Sequence, residues 1–228
     1  MLIQRYINII NYYMEWLIQF PVLLFSIIFH EFAHGATAYR RGDDTAYLSG
    51  RLTLNPIPHI DPVGSILIPA ICVFSHFPVI GWAKPVPINP LRMPRPRRDM
   101  ALVAMGGPAS NIFLAVIAFF AYKIFALGFL GADLTLTMLK ASLWGIIINL
   151  LLAVFNLIPI YPLDGSHVAL EFLPDKWLAV YEKHIPYGMY IILGLMLTGG
   201  IRLIIEPILG AVLFLLYKSG VAIQILSI

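Results

Sequence analysis

Phe29-His30-Glu31-Phe32-Ala33-His34 lies within a run from Trp16 to Ala38 that is otherwise mostly apolar. In a helix, residues four apart stand one above the other on one face, so His30 and His34 can offer two imidazole nitrogens to one metal ion. Glu31 flanks that face and is placed to act as general base on an activated water. The pattern is short, and in a soluble helix two such histidines are usually surface residues. The apolar setting changes the reading, because an ionisable side chain at membrane depth costs about 2.5 to 3.5 kcal/mol. Three such residues so close together are tolerated only with a use and with partners. The stretch therefore predicts a membrane helix that carries part of a metal site.

The rest of the composition agrees. Of 228 residues, 60% are hydrophobic and 12% are charged, against about 25% charged in ordinary soluble domains. The chain reads as an all-α polytopic membrane protein with five to six transmembrane helices. It forms one domain over residues 1–228, with its core at 16–165 and closing helices within about 185–226. The net charge of +3 is small, and the basic residues sit between apolar runs where topology accounts for them. Nucleic acid is thereby excluded as a partner, and the lipid bilayer is the expected surroundings. Cys72 is the sole cysteine, which excludes an intrachain disulfide and a cysteine metal cluster and leaves His, Asp and Glu as ligands. Ala36-Thr37-Ala38 resembles a signal-peptidase site, but the run before it exceeds an h-region of about 7 to 15 residues, so the segment is read as retained.

Outward from the motif, Leu2 to Tyr13 read as an interfacial lead-in to an aromatic belt at Tyr12, Tyr13 and Trp16. The first membrane helix runs on to about Arg40, with Ser26, His30, His34 and Thr37 as a narrow polar stripe facing protein. Arg40 and Arg41 place its end in the cytoplasm. Leu48 to Asn55 alternate apolar and polar apart from Gly50, the pattern of a short membrane-associated strand that could clamp an extended peptide, or of a plain surface hairpin. Asn55 to Gly64 make a proline-rich loop holding His59 and Asp61. An apolar run follows from Val63 to Ile80, then an extended stretch from Gly81 to Pro90, where prolines at 85, 87 and 90 exclude helix. Arg92, Arg95, Arg97 and Arg98 form a basic cluster. Met100 to Tyr122 and Ala141 to Ile160 are clear membrane runs, the first holding Gly106-Gly-Pro-Ala-Ser-Asn111, whose small residues permit close helix contact. Ile185 to Thr198 and Pro207 to Tyr217 close the chain. No repeat of 20 to 50 residues is visible.

A catalytic zinc takes three protein ligands and keeps one position open. Candidates for the third are Asp61, Asp164, His59, His76 and His167. Asp164 is favoured because it follows a long apolar helix in Asn156-Leu-Ile-Pro159-Ile-Tyr-Pro162-Leu-Asp164-Gly165, although Asp-Gly after prolines is most often a turn.

His-Glu-Phe-Ala-His in the first helix, Gly-Gly-Pro-Ala-Ser-Asn in a middle helix and Asn-Leu-Ile-Pro-Ile-Tyr-Pro-Leu-Asp-Gly after the next resemble, in that order, the site-2 protease family of intramembrane zinc metalloproteases. The resemblance runs through Leu54 to Gly64 and Gly81 to Pro90, is to the compact branch without a PDZ domain, and covers most of residues 20 to 190. It implies one zinc ion held by His30, His34 and Asp164, Glu31 as general base, and Asn156 at the site. Ser166 stands where a second glycine often follows the aspartate, and the insert from Val63 to Ile80 is longer than in the most compact members.

Sharing one metal requires Asp164 to lie at the depth of His30 and His34. The helix before Asp164 must then end on the cytoplasmic side, and the helix from Met100 must start there beside Arg92 to Arg98. Residues 63 to 80 must accordingly enter and return, as a re-entrant hairpin or as a helix answered by the extended stretch. The implied activity is hydrolysis of peptide bonds in membrane-spanning or membrane-anchored proteins, or in signal-peptide-like segments, at the cytoplasmic side of the cell membrane. Asn156 or Asn111 is a candidate oxyanion or substrate donor, or an ordinary interhelical residue. His59 and Asp61 read as a loop lock, with contacts behind a zinc ligand as the next reading. His167 and His76 read as structural. The rival class is a transporter or ion carrier that uses buried His, Glu and Asp to bind metal or protons, but transporters often show paired repeats and a carrier has no need of Glu31 between the histidines.

Overall fold

A computed structural model describes residues 2–75 and 82–221, with side chains from residue 15 onward except at Val73. The lead-in and the first membrane run form one helix, α1 (Leu2–Arg40), of which Glu15–Arg40 is long and apolar enough to cross a membrane. After the short α2 (Thr45–Leu48), a π-type turn at Pro62–Leu67 leads into α3 (Ile68–Phe74). The long helices α4 (Pro96–Phe125) and α5 (Ala132–Asn156) follow. Then come α6 (Asp164–Phe172), α7 (Asp175–Glu182), α8 (Gly188–Leu197) and α9 (Gly200–Lys218). Among the described residues, four helices are long and apolar enough to cross: α1, α4, α5 and α9. The further crossings counted toward five or six are short here. The ten residues of α8 reach about 15 Å at 1.5 Å per residue, half of a hydrocarbon core of about 30 Å.

Helix directions follow from which side chains meet. Along α1, His30 bonds Asn111 and His34 bonds Val103, so α4 runs antiparallel to it. Asn111 meets Asn149 while Gly145 lies against Ala118, so α5 reverses again and runs parallel to α1. At the far end Glu15 of α1 accepts from Lys140 Nζ and from Trp144 Nε1 of α5 at 2.8 Å, which fixes the register of the parallel pair. Lipid tails give no hydrophobic drive between helices, so such contacts and close packing carry the association. On the other side of α4 and α5, Tyr122, Leu143, Ile146 and Ile147 pack with Leu216 of α9.

The strand expected at 48–55 is not present. Leu48 ends α2, and Gly50 at φ +67° lets the chain turn back, with Gly50 N donating to Tyr47 O and Arg51 N to Ala46 O. This is a Schellman ending, and a left-handed glycine takes the backbone out of the extended region. Residues 52–54 are bends with no ladder partner among the described residues. Alternation alone misled because a strand also needs a neighbour to pair with.

The insert does return on itself, as far as it is described. Trp82 N donates to Gly64 O and Lys84 N to His59 O, so the segment comes back to where it left. Gly64 is required there, since a Cβ would stand 2.3 Å from the Trp82 ring. Residues 76–81, including the candidate His76, lie outside the described residues.

From Trp82 to Asn89 the chain is extended, as its prolines dictate, and forms a strap across the end of α1. Arg51 Nη2 donates to Lys84 O, and Asn89 N donates to Asp43 Oδ2 at 2.6 Å. Asp43 is fully buried and also accepts from Thr45 N and Oγ1. Burial by itself would raise its carboxyl. The hydrogen bonds from Thr45 and Asn89, with Arg92 nearby, outweigh that and hold it below its ordinary 3.8. A lowered carboxylate contributes stability that is complete above its unfolded value and is lost as pH falls through the folded one. Asp43→Ala should orphan buried donors at about 1 to 3 kcal/mol each. Limited proteolysis of the protein in detergent at neutral pH is then expected to cut the strap in the variant well before wild type. Wild type should lose its protection only below about pH 4.

Candidate metal centre and active site

His30 and His34 face into the bundle and are almost wholly buried, with their Nε2 atoms 2.9 Å apart. Asp164, the first residue of α6, lies 3.1 Å from His30 Nε2 through Oδ2 and 3.3 Å from His34 Nε2 through Oδ1. Among the described residues these three form the group of donors able to hold one ion, all within 4.8 Å. Zinc bonds of about 2.0 to 2.2 Å at tetrahedral angles would set donor atoms about 3.3 to 3.6 Å apart, close to these separations.

The protonation pattern gives the stronger test of fit. His34 Nδ1 lies 2.7 Å from Val103 O, a carbonyl that can only accept, so this nitrogen carries the proton. His30 Nδ1 lies 2.6 Å from Asn111 Oδ1, and that amide's Nδ2 is already donating elsewhere, so His30 Nδ1 carries its proton too. A neutral imidazole has one N–H, hence both Nε2 atoms present lone pairs. Two lone pairs and a carboxylate oxygen then converge with no proton between them, and Asp164 Oδ2 is buried without a hydrogen-bond partner. Such an arrangement calls for a cation, and the donor set suits zinc.

Glycines make the convergence possible. A Cβ at Gly107 would stand 2.5 Å from Nε2 of both histidines, and one at Gly106 would stand 2.8 Å from Thr37 Oγ1 and 3.1 Å from Ala33 O. The Gly-Gly of α4 therefore lets its backbone lie directly on the face of α1 that carries His30 and His34. At Gly165 a Cβ would stand 2.2 Å from Leu157 O. Asp164-Gly165 is thus a helix start pressed against the backbone that leaves α5, and not merely a turn. The other end of α6 is held by Arg97, whose guanidinium donates to Leu170 O and Leu173 O, both at 2.7 Å.

Glu31 lines the same cavity of about 200 Å³ as His30, His34, Asp164, Asn156 and His167, with Pro85 and Val86 of the strap as one wall. Glu31 Oε2 accepts from Val86 N at 2.9 Å, and its other oxygen has no protein partner among the described residues. Asn156 Nδ2 donates to Leu152 O, and the residue lines the cavity. Burial lowers the His167 imidazole below its ordinary value.

The structure therefore brings His30, Glu31, His34, Asp164 and Asn156 together. Asn111 is fully buried behind His30 with both ends of its amide engaged, away from the cavity. His59 is also fully buried and bonds Thr53 O, while Asp61 caps the turn at Pro62–Leu67 through Val63 N and Gly64 N. These two lock the loop and do not reach the histidines. His167, read from the sequence as structural, is in the cavity. Its spacing of three from Asp164 would have shown this had Asp164 been taken as the start of a helix. The strap could not be placed by spacing.

A model of peptidase family M50 matches residues 123–198. YwhC of Bacillus subtilis (strain 168), by its name a candidate zinc metalloprotease, is 39% identical over 192 residues, which cover 83% of this chain and 84% of YwhC. Rip2 of Mycolicibacterium smegmatis, similarly named, is 28% identical over 188 residues, covering 77% of this chain and 64% of that protein. MJ0611 of Methanocaldococcus jannaschii, named likewise, is 36% identical over 88 residues, covering 39% and 42%. No solved structure matches the chain.

Because both rings are tethered at Nδ1, they cannot retreat from a side chain at position 107. Gly107→Ala should therefore purify with far less than one zinc per chain by elemental analysis, while Gly131→Ala, at an open position with ordinary backbone angles, should retain it.

Proposed function

Since the chain belongs to peptidase family M50, the site-2 protease family, and is an intramembrane zinc metalloprotease, we propose that His30, His34 and Asp164 hold its zinc and that Glu31 is its general base. What carries this reading is that Glu31 and the three converging donors line one cavity. Zinc in that position supplies a Lewis acid that lowers the pKa of a bound water to about 7 and polarises the scissile carbonyl. Glu31 takes the proton of the attacking water and delivers it to the leaving amine. Val86 N–H holds Glu31 Oε2, which leaves the other oxygen for that proton. Asn156 is placed to donate to the developing oxyanion.

The substrate class is membrane-spanning or membrane-anchored protein, including signal-peptide-like segments, because the donors sit on or beside helices long and apolar enough to cross a bilayer. A helical substrate keeps its carbonyls bonded, so it must be unwound to be cut. The strap offers it a partner in place of residues 48–55. Val86 O and Ile88 N are unpaired among the described residues and border the cavity, so an extended peptide can pair there. The end of α1 and the start of α4 share one end of the bundle with Arg40, Arg41, Arg92, Arg95, Arg97 and Arg98. By the positive-inside rule that end is cytoplasmic, in the cell membrane, and the insert that leaves at Gly64 and is met again at Trp82 opens on that side.

Two measurements test these assignments. Co-expression with tagged membrane-anchored peptides should give cleavage products from wild type, and at least about 100-fold fewer from Glu31→Gln, with equal zinc in both proteins. Equal cleavage would remove Glu31 from the mechanism. For topology, Arg95→Cys in a Cys72→Ser background should resist an impermeant thiol reagent in intact cells and react after lysis; labelling from outside would reverse the orientation.

A further inference from the structure

Behind His30 lies a chain of buried polar groups that spans three helices. Asn111 Oδ1 of α4 accepts from His30 Nδ1, and Asn111 Nδ2 donates to Asn149 Oδ1 of α5 at 2.9 Å and faces Ser26 O of α1 at 3.4 Å. Asn149 Nδ2 donates to Ser26 Oγ at 2.8 Å and to Gly145 O at 2.9 Å, and Ser26 Oγ donates to Val22 O at 2.7 Å. Ser26, Asn111 and Asn149 are 1%, 0% and 3% exposed, so the network is closed to bulk solvent.

The direction of this chain matters more than its strength. A carboxamide can turn over and exchange its oxygen for its NH2. If Asn111 did so, it would present N–H groups to His30 Nδ1, which would then have to accept. The His30 proton would move to Nε2, and the lone pair needed for a metal would be lost. Asn111 is kept from turning because its NH2 needs acceptors, and Asn149 Oδ1 is the nearer of the two it has. Asn149 in turn is kept from turning by Gly145 O, a backbone carbonyl that can only accept. The polarity is therefore decided at Gly145 and passed through Asn149 and Asn111 to the ring.

We propose that Asn149 is a positioning residue for the zinc site, which selects the Nε2 lone-pair form of His30 by fixing the orientation of the Asn111 amide, with Ser26 as its support. The assignment rests on His30 being a zinc ligand. Removing a partner behind a ligand imidazole typically weakens metal affinity by about 10- to 100-fold.

The test uses full-length protein in detergent, stripped of metal, with zinc affinity measured by chelator competition and Co2+ absorption as a second signal. Asn149→Leu should raise the zinc dissociation constant about 10- to 100-fold and perturb the cobalt spectrum, with cleavage recovering at high zinc. Ser26→Ala, a smaller change that serves if Asn149→Leu does not fold, should weaken zinc several-fold, and Ser26→Thr should restore it. Asn149→Leu placed on Asn111→Leu should add nothing, because its effect runs through that amide. Zinc affinity within twofold of wild type in the single variants, or additive losses in the double variant, would overturn the proposal. His30→Ala separates it from the reading beneath it: if that variant keeps wild-type affinity, His30 is not a ligand. If it loses zinc while Asn149→Leu does not, only the role of Asn149 fails.

Discussion

Two imidazole lone pairs and a carboxylate meet inside a bundle whose outer faces are apolar, and the other features of the fold make that meeting possible. The lone pairs exist only because each Nδ1 proton has an acceptor, Val103 O for His34 and Asn111 Oδ1 for His30. Both acceptors are on α4, so α4 must lie against the histidine face of α1. It can do so only where it has no side chain, at Gly106 and Gly107. The carboxylate must come from elsewhere, since of the two acidic groups of α1 Glu15 is held by Lys140 and Trp144 and Glu31 faces the strap and the cavity. Parallel α1 and α5, with α4 reversed between them, deliver the chain at Asn156 to the correct end of the bundle. Eight residues later it has turned and begun α6 with Asp164.

Much of this was legible in the residues. His30, Glu31 and His34 announce themselves by spacing, and their apolar setting says that they must be used. The demand that Asp164 reach the same depth also dictates the directions of the long helices and the return of the insert, and the backbone bonds from Trp82 to Gly64 and from Lys84 to His59 agree with that. What was not legible depends on contacts between distant segments. Alternation at 48–55 suggested a strand, but Gly50 takes a left-handed turn there and no neighbour among the described residues pairs with the segment. The prolines at 85, 87 and 90 said that the strap is extended, yet nothing local says that Val86 N–H meets Glu31. For Asn111 the residues left open a substrate donor or an interhelical residue, and only the packing of α1, α4 and α5 shows its amide consumed by His30 and Asn149.

The choice of amides behind His30 has an electrostatic reason. In many zinc sites a carboxylate takes the ligand imidazole's other proton. Here the interior already holds Asp164 and Glu31, and a divalent cation with two carboxylates is neutral as a group. A third carboxylate at position 111 would be an uncompensated charge, buried at 0% exposure and at membrane depth, where such a charge costs several kcal/mol. A neutral amide can accept the same proton, but unlike a carboxylate it has a wrong way round. Using asparagine at position 111 thus creates a need for something that fixes its orientation. The bundle meets that need with a second asparagine and a serine whose last partners, Gly145 O and Val22 O, are backbone carbonyls that cannot reverse.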